Sequence, residues 1–245
     1  AMPTATSRPR AAARRARARA GAGAGPAAYS VDAVLFTVVD GDLGVALVRA
    51  TPGPGGERPR ERWTLPFAAG APDEPLQAAA AAVAEEVLGG PPAWMEQVGA
   101  FGDGRRHPAP APLSVAYVGL VPDGFELPGD EGGAEFHALA SLPAVPPRQK
   151  AMIDAAAAHV RGRVGQAPVA FRLLPPTFTL SELQVIYELL LGRRLHKASF
   201  RRSLQSARIV EPTEVWRSEG RGRPAQLFRH ALKRKRPAAR GLRFD

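Results

Sequence analysis

Residues 179–191, TLSELQVIYELLL, constrain the fold more than any other stretch of the chain. Thr179 followed three residues later by Glu182 is a capping-box start, in which each residue satisfies an orphan N–H of the other. Leu180, Leu183, Ile186, Tyr187, Leu190 and Leu191 then recur at helical spacing, so one face is apolar and must be buried. Gly192 supplies the stop. A second, shorter helix is expected from about Lys197 to Ala207, with Phe200 and Leu204 inward and Lys197, Ser199, Arg201, Arg202 and Gln205 outward. An extended segment around Val215, a tight Arg-Gly turn at Gly220–Arg223 and a second extended segment, Ala225–Phe228, complete the pattern.

Helix, basic helix, then a hairpin with an arginine-tipped loop is the order of a winged helix-turn-helix. That geometry sets a helix in the major groove and a wing on the backbone or minor groove. Arg201 and Arg202 can pair bidentately with guanine and Gln205 with adenine, whereas Lys197 and Ser199 suit phosphates. Arg193, Arg194 and His196, in the turn between the helices, are expected on the DNA backbone. Arg217 on the hairpin and Arg221 and Arg223 at its tip suit phosphates or a narrow minor groove. One such module buries too little surface for tight binding, so a homodimer on palindromic double-stranded DNA is expected.

Charge follows the same division. Residues 1–28 carry six Arg and no acid. Residues 29–170 carry ten basic and seventeen acidic side chains, a net −7, and residues 171–245 carry seventeen basic and six acidic, a net +11. An acidic middle beside a strongly basic C-terminal third places the polyanion-binding surface in that third. The run at 8–26 has almost nothing to bury and is expected to be a disordered Arg/Ala-rich tail.

Several classes are excluded at this level. No stretch of about 18 apolar residues occurs, so no membrane-spanning helix is expected. The first 28 residues lack the apolar core of a secretory signal. The chain has no Cys, which removes thiolate metal sites and thiol nucleophiles and fits a cytoplasmic protein. The five scattered His show no metal-ligand spacing. His107, alone in a polar loop, reads as a surface residue.

The acidic middle alternates strands with two helices. Val31–Val39 and Gly44–Arg49 are expected to form a hairpin across Asp40-Gly41, with Trp63–Phe67 a short third strand. Pro75–Leu88 and Gln149–Arg161 read as helices, and Val98–Phe101 and Ser114–Leu120 as further strands. The fold class is α+β, a layered domain joined by residues 165–176 to the basic one.

The order hairpin, Trp63-Thr-Leu-Pro66, helix with Glu85-Glu86, then Gly89 resembles a Nudix domain. The segments EQVGAFGDGRRHP (96–108) and SVAYVGLVP (114–122) resemble the Nudix-related transcriptional regulators of the NrtR type. So do the join FRLLPPTFTLSELQVIYELLLGRRL and the ending GRGRPAQLF, so that the similarity covers roughly 29–230. The resemblance implies a Nudix-like mixed-sheet α/β/α sandwich followed by the winged helix-turn-helix domain. It further implies a dimeric repressor of NAD-metabolism genes whose sensor binds ADP-ribose or a related nucleotide. The expected divisions are a tail at 1–28, a sensing and dimerising domain at 29–164, a linker at 165–176, a DNA-binding domain at 177–232 and a basic tail at 233–245.

A catalytic Nudix box needs acids one helical turn apart to hold Mg²⁺ on a pyrophosphate. Aligned on Leu65-Pro66 and Gly89, this chain has Phe67 and Ala68 for the glycine pair. It has Ala82 and Val83 for Arg-Glu, and Glu86 and Val87 for Glu-Glu. No catalytic residue, metal or cofactor is therefore expected. For a nucleotide effector, cations and aromatic faces are needed, which Arg49, Arg62, Trp63, Phe101, Arg105 and Arg106 could supply. A residual pyrophosphohydrolase and a constitutive DNA-binding protein are the alternative readings. Segment 144–153, AVPPRQKAMI, lacks an Asp-His pair expected of NAD-type members.

Overall fold

The computed structural model describes residues 28–52, 58–92, 94–128, 133–165, 168–218 and 224–231. Both charged tails and the wing tip with Arg221 and Arg223 lie outside the described residues. The hairpin expected at the start is present as β1 (Tyr29–Val39) and β2 (Asp42–Arg49). Asp40 and Gly41 between them both have positive φ, 50° and 79°, the requirement of the turn whose twist matches the strands.

The expected single strand Trp63–Phe67 is instead two. β3 (Trp63–Thr64) pairs with β2, and β4 (Phe67–Ala69) pairs with β1. The break has a cause: Pro66 has no N–H to give a ladder, and the N–H of Leu65 goes to the side chain of Gln149. α1 (Leu76–Leu88), β5 (Met95–Phe101) and β6 (Leu113–Leu120) follow. β6 runs parallel to β1 from Tyr29↔Leu113 to Phe36↔Leu120, whereas β1–β2 and β5–β6 are antiparallel. β7 (Glu135–Ala138), not foreseen from the sequence, pairs with β2 and leads into a 3-10 turn at Leu139–Ser141. The path across this mixed sheet is β3-β2-β1-β6-β5.

Strand alternation sends successive β1 side chains to opposite faces. Ala33 and Leu35 meet Val83, Ala84, Val87 and Leu88 of α1. Val34 and Phe36 join the core that holds Met152, Ile153, Ala156 and Val160 of α2 (Pro147–Arg163). The result is the expected α/β/α sandwich.

That second core does not end with α2. Segment 165–176, expected as a linker, contains a 3-10 turn at Val169–Leu173 that buries Val169, Ala170, Phe171 and Leu173. Four apolar side chains in five residues have to leave water, at roughly 1.5–3 kcal/mol for each large one, and no solvated tether could keep them. The same core runs on into α3 (Leu180–Leu191) through Leu183, Ile186, Tyr187 and Leu190. α4 (Lys197–Ala207) and the hairpin β8 (Val210–Arg217) and β9 (Ala225–His230) complete the winged helix. Phe178 exchanges both backbone hydrogen bonds with Phe228, at 2.9 and 2.7 Å, and so adds an edge bridge to the hairpin.

Candidate effector site and nucleic-acid interface

α3 begins as the sequence requires. The Thr179 hydroxyl accepts the Glu182 N–H at 3.1 Å, and the Glu182 carboxylate accepts the Thr179 N–H at 2.6 Å. α4 is held against it by Phe200, whose ring meets Tyr187 edge-on at 5.4 Å. With Phe200 and Leu204 buried, Lys197, Arg201, Arg202 and Gln205 are all exposed. Lys197, Arg201 and Gln205 are spaced by four, so they form one stripe, with Arg202 beside it. Ser199 is also exposed, 3.5 Å from the His196 ring that precedes the helix.

The turn between these helices is built by two residues that sequence reasoning did not single out. The Glu188 carboxylate accepts the Leu195 N–H at 2.9 Å and the Gln184 amide at 2.8 Å, and Gln184 also donates to the Leu195 carbonyl at 3.0 Å. The Gln184 and Leu195 hydrogen bonds, with Arg194, hold the Glu188 carboxyl below its ordinary range. Arg193 and Arg194 are both exposed, with Arg194 paired to Glu188 at 2.9 Å.

Arg217 occupies a different position from the other predicted contacts. Its guanidinium pairs with Glu182 at 2.5 Å, fastening the hairpin to the start of α3. Burial raises the Glu182 carboxyl, but the Thr179 N–H and Arg217 outweigh it and the net shift is downward.

At the β3 edge of the sheet the structure brings three predicted residues together. Arg49 and Arg62 lie over the Trp63 ring, 5.1 and 5.8 Å from its centroid. Trp63 is only 7% exposed, so the ring aims the two cations and offers little face for a base. Arg49 also pairs with Glu135 of β7 at 3.3 Å, and His137 meets Trp63 edge-on at 4.6 Å. Gly133, at φ +66°, lets the chain lie against Arg49, where a Cβ would come within 2.9 Å of its side chain. Arg106 is tied to the same stretch of chain, pairing with Glu61, the residue before Arg62. Arg105 pairs within its own loop, with Asp103 at 3.1 Å. Phe101 stands apart: it is on β5, at the opposite edge of the sheet from β3, and packs against the main core.

His107, expected at the surface, is a correction. Its side chain is 1% exposed, and its Nε2 donates to Asp32 Oδ1 at 2.8 Å. The tautomer is fixed because Nδ1 accepts the Ala109 N–H at 2.9 Å. Gln149 Nε2 donates to the same Asp32 oxygen at 2.9 Å, and its Oε1 accepts the Leu65 N–H at 3.0 Å. The other Asp32 oxygen accepts from Ser30 at 2.9 Å, Ser30 lies 2.7 Å from Ser114, and Arg148 donates to Ser114 at 3.3 Å. Leaving any one of these buried groups unsatisfied costs about 1–3 kcal/mol. The sequence did carry a signal, an aspartate inside the apolar run VDAVLFTVV, which can be buried only with donors brought to it.

On α1, Val83 and Val87 are buried against the sheet, while Ala82, Glu85 and Glu86 are exposed. Among the described residues, no group of three or more His, Asp or Glu side chains could hold a metal ion. No helix among them is long and apolar enough to cross a membrane.

Comparison with known proteins matches this architecture. Residues 170–230 match the family described as the NrtR DNA-binding winged helix domain. The ADPR responsive transcriptional repressor NtrR of Acinetobacter baylyi is 30% identical over 211 residues, covering 83% of this chain and 82% of the relative. The crystal structure of Shewanella oneidensis NrtR complexed with a 27mer DNA superposes with a TM-score of 0.70 at 28% identity, covering 83% of this chain and 93% of that one. A MutT/nudix family protein from Enterococcus faecalis shares the fold, with a TM-score of 0.64 at 18% identity over 85% of this chain and 89% of its own. From the capping box to the sensor sheet, the chain belongs to the NrtR family of Nudix-related transcriptional regulators.

Proposed function

We propose that this protein is a cytoplasmic repressor that binds a palindromic operator as a homodimer and is controlled by ADP-ribose or a related NAD-derived nucleotide. The observation that carries the reading is the exposed stripe of α4, Lys197, Arg201, Arg202 and Gln205, locked in place by Phe200 on Tyr187. Arg221 and Arg223, outside the described residues, are assigned to the DNA by their charge and their place between the two hairpin strands in the sequence. Residues 177–232 bind DNA, and residues 29–164 sense the nucleotide and dimerise. The relative in Acinetobacter baylyi, by its name responsive to ADPR, supports the choice of effector. The Arg49–Arg62–Arg106 cluster supplies cations for its pyrophosphate, without a catalytic metal or a cofactor.

The protein senses the nucleotide without hydrolysing it. On α1 the positions aligned with the acidic pairs include Val83 and Val87, which pack into the core. A carboxylate there would be buried without a partner. Incubation with ADP-ribose and Mg²⁺ is expected to release no AMP; metal-dependent AMP release would restore the hydrolase reading. Fluorescence anisotropy on DNA from the protein's own upstream region, at fixed salt with competitor, tests the rest. Specific binding that changes with ADP-ribose is the expected result. Specific binding indifferent to it leaves only the DNA-binding part standing.

A further inference from the structure

We propose that the buried Asp32–His107–Gln149 network is the positioning element that passes occupancy of the cationic cluster to the winged helix. The proposal rests on the effector reading above. Arg106 is the point of contact between the two. Its guanidinium pairs with Glu61 beside Arg62, and its backbone carbonyl accepts the Arg148 N–H at the start of α2, at 3.2 Å. The next residue, His107, is held by Asp32 and meets the Phe67 ring edge-on at 5.1 Å. Gln149, in the first turn of α2, binds the same carboxylate and the backbone of Leu65. Three separate chain segments therefore share one buried aspartate.

α2 carries this junction to the other half of the molecule. Its 17 residues span about 25 Å. It ends at Arg163, and the 3-10 turn follows at Val169–Leu173, whose Leu173 carbonyl accepts the Asp123 N–H at 2.9 Å and whose apolar residues share one core with α2 and α3. A phosphate drawn to Arg106 competes with Glu61 for the guanidinium, because bidentate anion binding uses the same donors. A loop displaced by that exchange moves His107 and the first turn of α2 together. Buried polar groups cannot slacken gradually without losing partners, so such a junction favours discrete arrangements. Arg148 Nε is buried without a hydrogen-bond partner, so this arrangement leaves the junction incompletely satisfied.

The test uses the full chain. Gln149→Met keeps side-chain length and removes the hydrogen bonds to Asp32 and to the Leu65 backbone; His107→Gln keeps a donor for Asp32. DNA affinity is read by anisotropy with and without saturating ADP-ribose, and ADP-ribose binding by calorimetry. In the wild type, ADP-ribose is expected to change DNA affinity by about tenfold or more, the usual scale of coupling between sites. In Gln149→Met that change falls below about twofold, while ADP-ribose affinity and ligand-free DNA affinity move by less than about fivefold. His107→Gln retains the response. A Gln149→Met protein that binds both ligands and responds like the wild type overturns the proposal alone. A wild type that binds no ADP-ribose overturns the effector reading, and the proposal with it. If Gln149→Met does not fold, hydrogen exchange on the wild type decides. ADP-ribose must alter exchange in 103–109 and 147–153 together, and a change confined to 103–109 overturns the network.

Discussion

Arg202 stands on the exposed side of a helix whose other side is fixed by Phe200 and Leu204, so its side chain can be removed without disturbing the fold. Arg202→Ala is expected to weaken specific DNA binding by about 1–3 kcal/mol and nonspecific binding much less. Anisotropy with operator and scrambled duplexes separates the two; equal losses on both would move Arg202 to the phosphates. His230 makes a prediction about pH. It stacks on Phe171 at 4.3 Å, and burial first, then Arg172, lowers its pKa from the ordinary 6.5. A histidine depressed in the folded state contributes stability that is present above the unfolded value and is lost as pH falls through the folded one. Thermal stability is therefore expected to decline from about pH 6.5 downward, and His230→Phe, which keeps the stack, should flatten that decline in a melting series. At this scale the sequence was readable where a residue's partners are local and opaque where they are distant. The outward stripe of α4 follows from helical phase alone. The burial of His107 depends on Asp32 and Gln149, from segments that only the completed sheet brings together.

Among the elements, α3 was the most legible, because its capping box, apolar face and terminal glycine all agree. Thr179→Ala is expected to cost about 0.5–2 kcal/mol of stability, read from a denaturant midpoint, with little effect on DNA contacts. Glu182 serves both the cap and Arg217, so a double-mutant cycle of Glu182→Gln with Arg217→Met should show coupling of about 0.5 kcal/mol or more. Zero coupling would mean that the ion pair does not hold the wing. The first hairpin was equally readable, since Asp-Gly demands a particular turn. β7 was not: four residues, Glu-Phe-His-Ala, are too few to show alternation, and their place on β2 is settled by tertiary pairing. The split at Pro66 was misread because its second cause, the Gln149 side chain, lies 84 residues away from Leu65.

For the molecule as a whole, the two-domain pattern of charge and motif was visible in the sequence, but the join between the halves was not. Residues 165–176 read as a linker, and within them Val169, Phe171 and Leu173 are core residues in contact with both sides. Phe171→Ala is expected to cost about 3–5 kcal/mol and to lower a single melting transition seen by tryptophan fluorescence and by circular dichroism alike. Two separated transitions would show that the halves melt independently. The shared core also bears on how such proteins diversify. A sensor and a reader connected by a string could be recombined freely, each exchanged for another of its kind. Here a graft at the junction would have to supply matching shapes on both sides of one interior. Change within either half is thus more accessible by point substitution than by exchange of whole modules.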